Sequence, residues 1–425
     1  MLDINLFRTN PDLIRENIKK KFQDAKLPLV DQAISLDQQL RETKTEADKL
    51  RNQRNVASKQ IGALIGKGLK DEADKAKSLV AGIGGELDSL KAREDELSAK
   101  LKSTLLVIPN IIADSVPIGR SDEDNVEVQK FGVPFIPPYP VPYHIDIMEK
   151  LNGVDLESAR KTTGSGFYFL KGEIALLHSA ILSYARDFMV EKGFTYCVPP
   201  FMIRGSVVTG VMSFEEMEGM MYKVEGEDLY LIGTSEHSMI GKFIDSLTDP
   251  SELPQTMTSY SPCFRKEVGA HGIEERGVYR IHQFEKQEMI VVCEPEDSEA
   301  WFERLYRYTV EFFRSLDIPV RTLECCSGDL ADLKVKSIDV EAWSPRQEKY
   351  FEVGSCSNLG DAQARRLGIR IRGTNGNHFA HTLNNTVVAP PRMLIAYLEN
   401  NLNEDGTVRI PESLRMYMRG HDLIY

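Results

Sequence analysis

The sequence lacks the features that would mark a membrane or secreted protein. No window of its 425 residues holds the roughly 18 apolar residues that a membrane-spanning helix needs. The first residues, MLDINLFRTNPDLIRENIKKK, do not show a basic segment followed by an apolar one, which is the pattern of a secretory signal. We therefore expect a protein that stays in the cytoplasm and has no membrane partner.

Motifs that bind nucleotides through a glycine-rich loop are also missing. The chain contains no phosphate-binding loop that ends in Gly-Lys-Ser or Gly-Lys-Thr. No G-x-G-x-x-G motif follows a strand-like segment. Any nucleotide site in this chain is therefore expected on the surface of a sheet.

Cysteine is scarce and is not spaced as in a metal site. The six cysteines form no Cys-x-x-Cys pair, and no cluster of histidines accompanies them. This pattern favours reduced, buried or half-buried thiols over a structural zinc site, which would need ligands from distant positions. The cysteines are Cys197, Cys263, Cys293, Cys325, Cys326 and Cys356.

Positive charge is in deficit across the chain. There are 52 lysines and arginines against 64 acidic residues, which gives a formal net charge of −12. Because binding to phosphates needs a positive surface, this balance argues mildly against a nucleic-acid partner. Local clusters matter more than the total, however, so the distribution of the basic residues decides the question.

A heptad pattern is the clearest feature that is present. Mostly apolar and small residues recur at alternating steps of three and four over 33–64, and again over 76–101, with Arg54 and Glu94 as the charged members of the two series. A Gly-Lys-Gly segment at 66–68 separates the two series and leaves room only for a tight reversal. The sequence therefore predicts an antiparallel α-helical coiled-coil hairpin over about residues 29–104.

Two roles are open for such a hairpin. It could be a dimerisation coiled coil with a merely solvated outer face, because acidic residues are interleaved with the basic ones. It could instead be a projecting arm that binds something large. Its basic residues, many of them outside the apolar seam, are Lys44, Lys49, Arg51, Arg54, Lys59, Lys67, Lys70, Lys75 and Lys77.

The rest of the chain has the pattern of an α+β domain. A proline-rich stretch over 104–145 is typical of a linker. Beyond it, strand-like runs and helical patterns follow one another with irregular connections, which predicts an antiparallel sheet with flanking helices. The predicted domains are 1–110 and 111–425. The strand-like runs are 229–232, 256–261, 287–293 and 349–353, and the helical patterns are 173–192, 297–316 and 391–402.

Polar and charged residues cluster at four places in the predicted second domain, at 233–236, 262–288, 351–358 and 381–392. In the second cluster the residues alternate, which would place each set on one face of a strand. Such a face could be a solvated sheet surface. It could also be a polyanion site, in which arginines grip phosphates, an aromatic ring stacks on a base and carboxylates hold a cation. The alternating residues are Arg265, Glu267, Arg280, His282, Phe284, Lys286 and Glu288, and Arg276 lies in the same cluster.

These clusters resemble the motifs of class II aminoacyl-tRNA synthetases. The run FRKE followed by RGVYRIHQFEKQEM resembles motif 2 of that class, and the form RIHQF with its following EM is similar to the seryl enzymes. The segments GTSE, EVGSCSN with DAQARR, and HTLN, the ending PESLRMYM and the predicted hairpin are also similar to seryl-tRNA synthetases, in the same order. The resemblance spans essentially the whole chain.

One segment departs from that family. It reads NNTVVAPPR, where the family has a Gly-Ser-Gly-like run before its arginine. Pro391 would fit the first turn of a helix that begins near Arg392, because the N–H that proline lacks has no partner there. The departure therefore concerns the local backbone more than the chemistry.

The resemblance implies a homodimeric enzyme that activates serine with ATP and Mg²⁺ and transfers it to tRNA(Ser). It also implies serylation of tRNA(Sec) where that tRNA is present. The hairpin would be the tRNA-binding arm, and residues 111–425 the catalytic domain. The alternative is a relative that activates an amino acid for a non-tRNA acceptor, but such relatives would be expected to lose or shorten the arm.

The resemblance also assigns roles at the nucleotide. Arg265 would bridge the serine carboxylate and the α-phosphate, and Phe284 and Arg392 would sandwich the adenine, so that Arg265 and Arg392 are the expected catalytic residues. Glu352 and Ser355 would hold Mg²⁺, a hard cation that prefers oxygen ligands. The expected ATP-binding residues are Arg265, Lys266, Glu267, Arg280, Ile281, Phe284, Glu352, Val353, Gly354, Ser355 and Arg392.

Serine must be distinguished from alanine, glycine, threonine and cysteine. A buried pair that hydrogen-bonds the hydroxyl rejects alanine, because alanine leaves that pair unsatisfied. Glu288 and Thr386 are the candidates for this pair, and Thr234 and Glu236 would take the ammonium group. The expected serine-binding residues are Thr234, Ser235, Glu236, Arg265, Glu288, Asn384 and Thr386.

Overall fold

The structure is a computed structural model in which residues 1–267 and 277–425 are described, apart from the side chain of Glu215. It divides into one unit of residues 2–109 and one of residues 110–425, to which Met1 also belongs. Arg276 lies outside the described residues. None of the described helices combines the length and the apolar character that a membrane crossing requires.

The secondary structure combines long helices with many short strands. The helices are α1 (Ile4–Thr9), α2 (Pro11–Lys20), α3 (Leu27–Gly66), α4 (Lys70–Val107), α5 (His144–Lys150), α6 (Leu156–Thr163), α7 (Gly172–Glu191), α8 (Gly205–Val211), α9 (Phe214–Met220), α10 (Ser235–Gly241), α11 (Ser298–Arg314), α12 (Ala362–Leu367), α13 (Pro390–Asn401) and α14 (Glu412–Arg415). The strands are β1 (Val126–Phe131), β2 (Val154–Asp155), β3 (Phe169–Leu170), β4 (Thr195–Cys197), β5 (Met202–Ile203), β6 (Tyr230–Leu231), β7 (Leu247–Thr248), β8 (Gln255–Phe264), β9 (Gln283–Cys293), β10 (Val320–Glu324), β11 (Lys336–Ser344), β12 (Lys349–Asn358), β13 (Arg370–Ile371), β14 (His378–Phe379), β15 (His381–Val388), β16 (Val408–Arg409) and β17 (Leu423–Ile424).

Helices α3 and α4 form the predicted antiparallel hairpin in the unit of residues 2–109. Helix α3 has 40 residues and α4 has 38, so each is about 60 Å long at about 1.5 Å per residue. The reversal falls at the expected place, because α3 ends at Gly66 and Gly68 adopts a φ of 75°. A left-handed backbone of this kind favours glycine, which has no Cβ to clash.

The heptad residues form the interface between these two helices. Ala33, Leu40 and Ala47 are buried on α3, and Ile83 and Leu97 are buried on α4. An exception is Arg54, a predicted seam position that is exposed. All nine basic residues of the arm, Arg54 among them, are exposed.

An eight-stranded sheet forms the centre of the other unit, and it confirms the predicted α+β fold. The strand order is β1-β10-β11-β12-β15-β9-β8-β4. Neighbours are antiparallel except at one edge, where β4 pairs with β8 in parallel. Sequence analysis identified parts of β8, β9 and β12, but it did not identify β10 or β11.

The two faces of β9 explain where a site can form. Met289, Val291 and Cys293 point into the large core that includes buried residues of α7, α11 and α13. The alternate residues Ile290 and Val292 pack in a second apolar cluster on the opposite face. Earlier in the strand, that opposite face carries polar and charged residues instead. The change from apolar to polar along one face of β9 marks the site described below.

Candidate active site

One cavity of about 440 Å³ lies on the polar face of the sheet. It gathers residues from all four clusters predicted from the sequence, although they are up to 158 positions apart. The predicted site residues that line it are Thr234, Glu236, Arg265, Glu267, Arg280, Ile281, Phe284, Glu288, Glu352, Val353, Gly354, Ser355, Asn384, Thr386 and Arg392. Two predicted residues do not line it: Ser235 is fully buried behind it, and Lys266 donates from Nζ to the carbonyl of Glu218 at 3.3 Å.

Strand register brings the predicted hydroxyl-reading pair together. Glu288 on β9 is the direct cross-strand partner of Thr386 on β15. Directly opposed side chains on antiparallel strands have Cβ atoms about 5 Å apart. The hydroxyl of Thr386 has no hydrogen-bond partner among the described residues. Gly354 lies next to Thr386, and a Cβ atom added to this glycine would lie 3.4 Å from the Cβ of Thr386. The glycine therefore leaves the space beside Thr386 open.

Glu288 is held in place by donors on both carboxylate oxygens. Its Oε2 accepts from the hydroxyl of Thr234, from the hydroxyl of Ser235 at 3.1 Å and from the backbone N–H of Glu236 at 3.2 Å. Its Oε1 accepts from Nζ of Lys286 at 2.8 Å. The Glu288 side chain is only 2% exposed, and these charge-assisted bonds offset the free-energy cost of burying its charge.

A second carboxylate, that of Glu236, lies beside Glu288 at the start of α10. Burial and the neighbouring Glu288 carboxylate raise the pKa of Glu236 to about 7. The side-chain amide of Gln363 opposes this shift by donating to Oε1 of Glu236 at 2.7 Å. This end of the cavity therefore holds two carboxylates, which suits a cationic group on a ligand.

Arg265 follows immediately after the end of β8. Its Nε donates to the carbonyl of Gly233 at 3.2 Å, and its guanidinium carbon lies 5.3 Å from the centroid of the Phe284 ring. The predicted strand alternation of Arg265 with Glu267 is wrong, because β8 ends at Phe264 and Glu267 has a φ of 48°. The chain turns there, and the turn directs both side chains towards the cavity.

Arg392 reaches the cavity from the first turn of α13. This helix begins with Pro390 and Pro391, which confirms the prediction that Pro391 fits the first turn of the helix. The guanidinium of Arg392 donates to the Glu352 carboxylate at 2.9 Å and lies 4.8 Å from the centroid of the Tyr279 ring. The cavity thus has guanidinium groups next to aromatic rings at two places.

Oxygen ligands gather near Glu352 on the neighbouring strands. Ser355 on β12 is the cross-strand partner of Asp339 on β11, and its hydroxyl lies 3.3 Å from that of Ser337. Burial and the nearby Glu352 carboxylate raise the pKa of Asp339 to about 6. Asp339 also lies within 4.8 Å of Cys325 and Asp329, measured between their possible metal-ligating atoms.

Among the other residues that line the cavity, Tyr279, Lys286, Lys334 and Asp339 were given no role from the sequence. A role for Lys286 could have been found, because it alternates with Phe284 and Glu288 on the same face of β9. A role for Asp339 could not have been found, because β11 was not predicted.

The five cysteines other than Cys197 are buried, Cys197 is half-buried, and all six are free thiols.

Comparison with known proteins identifies the class. A model of the tRNA synthetase class II core domain (G, H, P, S and T) matches residues 221–401, which include most of the cavity residues. A model of the seryl-tRNA synthetase N-terminal domain matches residues 1–112. The antiparallel sheet, its charged cavity and the core match together define a class II aminoacyl-tRNA synthetase.

Relatives that match the whole chain identify the family. The serine–tRNA ligase of Methanospirillum hungatei is 40% identical over 430 residues, and the match covers 100% of both chains. The crystal structure of seryl-tRNA synthetase from Pyrococcus horikoshii complexed with ATP has a TM-score of 0.92 and 39% identity, and covers 100% of this chain and 99% of that one. The cytoplasmic serine-tRNA ligase from Naegleria fowleri in complex with AMP has a TM-score of 0.88 and 34% identity, and covers 100% and 98%. The chain belongs to the serine–tRNA ligase family.

Proposed function

We propose that this enzyme activates serine with ATP and then esterifies tRNA(Ser), with the cavity on the sheet as the activation site. The observation that carries the proposal is the arrangement of this cavity. Arginines beside aromatic rings line the same cavity as a buried Glu288, which lies opposite Thr386. The first group suits a nucleoside triphosphate, and the second suits a small hydroxyl-bearing amino acid.

In the first half-reaction a serine carboxylate oxygen attacks the α-phosphorus of ATP. A new O–P bond forms while the bond from the α-phosphorus to the bridging oxygen breaks, and pyrophosphate leaves with the electron pair. In the second half-reaction a hydroxyl of the terminal tRNA ribose attacks the serine carbonyl carbon, and AMP leaves. The attacking carboxylate is already ionised, so the first step needs positioning and charge neutralisation and no general base.

At the nucleotide, Arg265 bridges the serine carboxylate and the α-phosphate. Its guanidinium is supported by the carbonyl of Gly233 and by the Phe284 ring, and this support favours one fixed direction for its free N–H groups. Phe284 and Arg392 enclose the adenine, Glu267 accepts from the adenine amino group, and the remaining ATP-binding residues named from the sequence complete the site.

Glu352 and Ser355 fit a magnesium site by their chemistry, because both offer oxygen donors and Asp339 lies beside them. When bound there, Mg²⁺ neutralises part of the phosphate charge. The carboxylate of Glu352 is paired with the guanidinium of Arg392. If ATP binds in a bent form, its γ-phosphate would also lie near Arg392, and we expect Arg392 to exchange the carboxylate for phosphate oxygens.

We assign tRNA binding to residues 1–110 and catalysis to residues 111–425. Six of the exposed basic residues of the arm form no ion pair among the residues that the structure describes, which leaves them available for phosphates: Lys49, Arg54, Lys59, Lys67, Lys70 and Lys75. We further propose that the enzyme is a cytoplasmic homodimer and that it also serylates tRNA(Sec) where that tRNA is present. Charging assays with both tRNAs, and the molecular mass in solution, test these points.

The pKa of Glu236 leads to a prediction about pH. Only the ionised carboxylate can accept the serine ammonium group, and with a pKa of about 7 its ionised fraction falls below neutral pH. We therefore expect the KM for serine in pyrophosphate exchange to rise several-fold as the pH falls from about 8 to about 6, while the KM for ATP changes less. A carboxylate with the usual pKa near 4.3 would leave the serine KM flat over this range, and that result would contradict the prediction.

The Thr386 hydroxyl can be tested without disturbing Glu288. The Thr386→Val variant keeps the side-chain shape but removes the hydroxyl, so we expect kcat/KM for serine to fall by about tenfold or more and the preference for serine over alanine to shrink. A matched control is Thr322→Val, which removes another buried threonine hydroxyl from the same sheet, away from the cavity. If the two variants discriminate serine from alanine equally well, Thr386 does not read the hydroxyl.

A further inference from the structure

We propose that Gln363 is a positioning residue for serine binding, because its side-chain amide fixes the carboxylate of Glu236 in the orientation that accepts the ammonium group. The inference rests on the proposed role of Glu236 in the site described above. Gln363 is distant in the chain, lies on the short helix α12, and does not line the cavity. It therefore acts through Glu236 and does not touch the substrate.

The contacts of Gln363 form a closed set inside the protein. The side chain is fully buried, and its Nε2 donates to Oε1 of Glu236 at 2.7 Å and to the carbonyl of Val211 at 3.2 Å. Its Oε1 accepts from the hydroxyl of Thr382 at 2.7 Å. Both amide N–H groups and the amide oxygen are thus used, and Thr382 is itself fully buried.

The amide can adopt only one of its two flipped orientations. Two acceptors, the Val211 carbonyl and the Glu236 carboxylate, face one end of the amide, and only its NH₂ end can satisfy both. In the flipped state the amide oxygen would face these two acceptors inside the protein, which would leave three buried acceptors without donors. The hydroxyl of Thr382 donates to the opposite end and stabilises the same orientation.

The surroundings of Glu236 show why a neutral donor is useful there. The charged groups that act on its carboxylate are Glu288 and Lys286 on β9 and Lys334 in the segment before β11. Glu288 disfavours ionisation of Glu236, and Lys286 is already paired with Glu288. A buried amide donor stabilises the ionised form without adding a cation that would repel the serine ammonium group.

The test measures serine-dependent pyrophosphate exchange by the full-length enzyme as a function of pH. Gln363→Leu removes the donor at nearly constant size, so the pKa of Glu236 should rise. The acid limb of kcat/KM for serine should then move to higher pH. At pH 7 we expect the KM for serine to rise by about tenfold or more, with the KM for ATP within about twofold of the wild type, and the serine defect should shrink as the pH is raised.

A second variant should show the opposite trend. In Gln363→Glu the new carboxyl group can donate to Glu236 only while it is protonated. Its serine defect should therefore be smallest at low pH and grow as the pH rises, since two adjacent buried carboxylates repel each other. Thr382→Val, which removes the anchor of the amide, should cause a weaker form of the Gln363→Leu defect. These two variants also keep the proposal testable if Gln363→Leu does not fold.

A control separates positioning from a general loss of stability. Asn401→Leu removes another buried amide, which donates to the carbonyl of Tyr397 at 3.1 Å and lies outside the cavity. This variant should lower the melting temperature without moving the serine pH profile. If Gln363→Leu behaves like this control, or raises the KM values for serine and ATP equally without a pH displacement, the positioning role is refuted. If the wild-type enzyme does not exchange pyrophosphate with serine, the proposed function itself fails, which is a separate result.

Discussion

Replacement of Arg265 by alanine is expected to lower serine-dependent pyrophosphate exchange by roughly 100-fold or more, or about 3 kcal/mol of transition-state stabilisation. The reason is geometric as well as electrostatic. The Gly233 carbonyl and the Phe284 ring hold the guanidinium, and in the proposed role its remaining N–H groups are aimed at the place where charge develops. The loss should appear mainly in kcat, because the proposed contact to the α-phosphate would strengthen as the new bond forms.

Arg304 provides the matched control for this change. Its guanidinium carbon lies 5.0 Å from the Trp301 ring centroid, much as Arg265 lies over Phe284, but it is exposed on α11 and outside the cavity. Arg304→Ala should therefore leave exchange within about twofold of the wild type. Exchange by Arg265→Ala within about threefold of the wild type would remove Arg265 from the catalytic assignment.

Shortening the arm is expected to abolish most tRNA charging while sparing adenylate formation. Nζ of Lys44 lies 3.8 Å from the carboxylate of Glu94 across the hairpin. Counting six positions towards the turn from each of these residues, we expect Leu50 and Asp88 to lie at about the same level of the hairpin. A variant that lacks residues 51–87 and joins Leu50 to Asp88 through a short Gly-Ser turn keeps the base of the hairpin in register. It also removes most of the unpaired basic residues. We expect charging of serine tRNA to fall by roughly 100-fold or more, because the phosphate contacts are lost.

Two measurements distinguish reach from charge in this experiment. Replacing Lys59, Lys67, Lys70 and Lys75 by glutamine in the full-length arm keeps its length. Relative to the wild type, this variant should lose more charging at low salt than at high salt, because high salt already screens the phosphate contacts that the variant lacks. Charging at the wild-type level by the shortened variant would mean that the distal arm has no part in tRNA binding. Loss of pyrophosphate exchange as well, in a folded protein, would mean that the arm supports the active site.

The sequence predicted best where one local pattern determines the structure. The heptads specify α3 and α4 because a hairpin contacts mainly itself, so its residues obey one rule over many turns. The same holds for Phe284 and Glu288, whose alternation on β9 indicates a shared face. Arg265 and Glu267 line the cavity, as the sequence predicted, but they follow the end of β8 and do not lie on a strand. The end of a strand depends on contacts with neighbouring segments, which alternation along the sequence does not reveal.

The parts that could not be predicted depend on contacts between distant segments. Gln363 lies 127 positions from Glu236, and nothing in the run DAQARR indicates that its second partner is the carbonyl of Val211. Asp339 belongs to β11, whose residues KSIDVEAWS mix charged and apolar side chains because a core covers one face and the cavity the other. Such residues acquire their roles only when strands from different parts of the chain pair in the sheet.

The two prolines that open α13 bear on how the nucleotide site is assembled. Proline fixes its own φ near about −65° and restricts the residue before it, so the turn that carries Arg392 has few conformations even in the unfolded chain. The entropy of ordering this turn is therefore lost largely before any ligand arrives. A chain with a more flexible segment here would have to order the same turn each time ATP binds, and part of its binding free energy would be consumed in doing so.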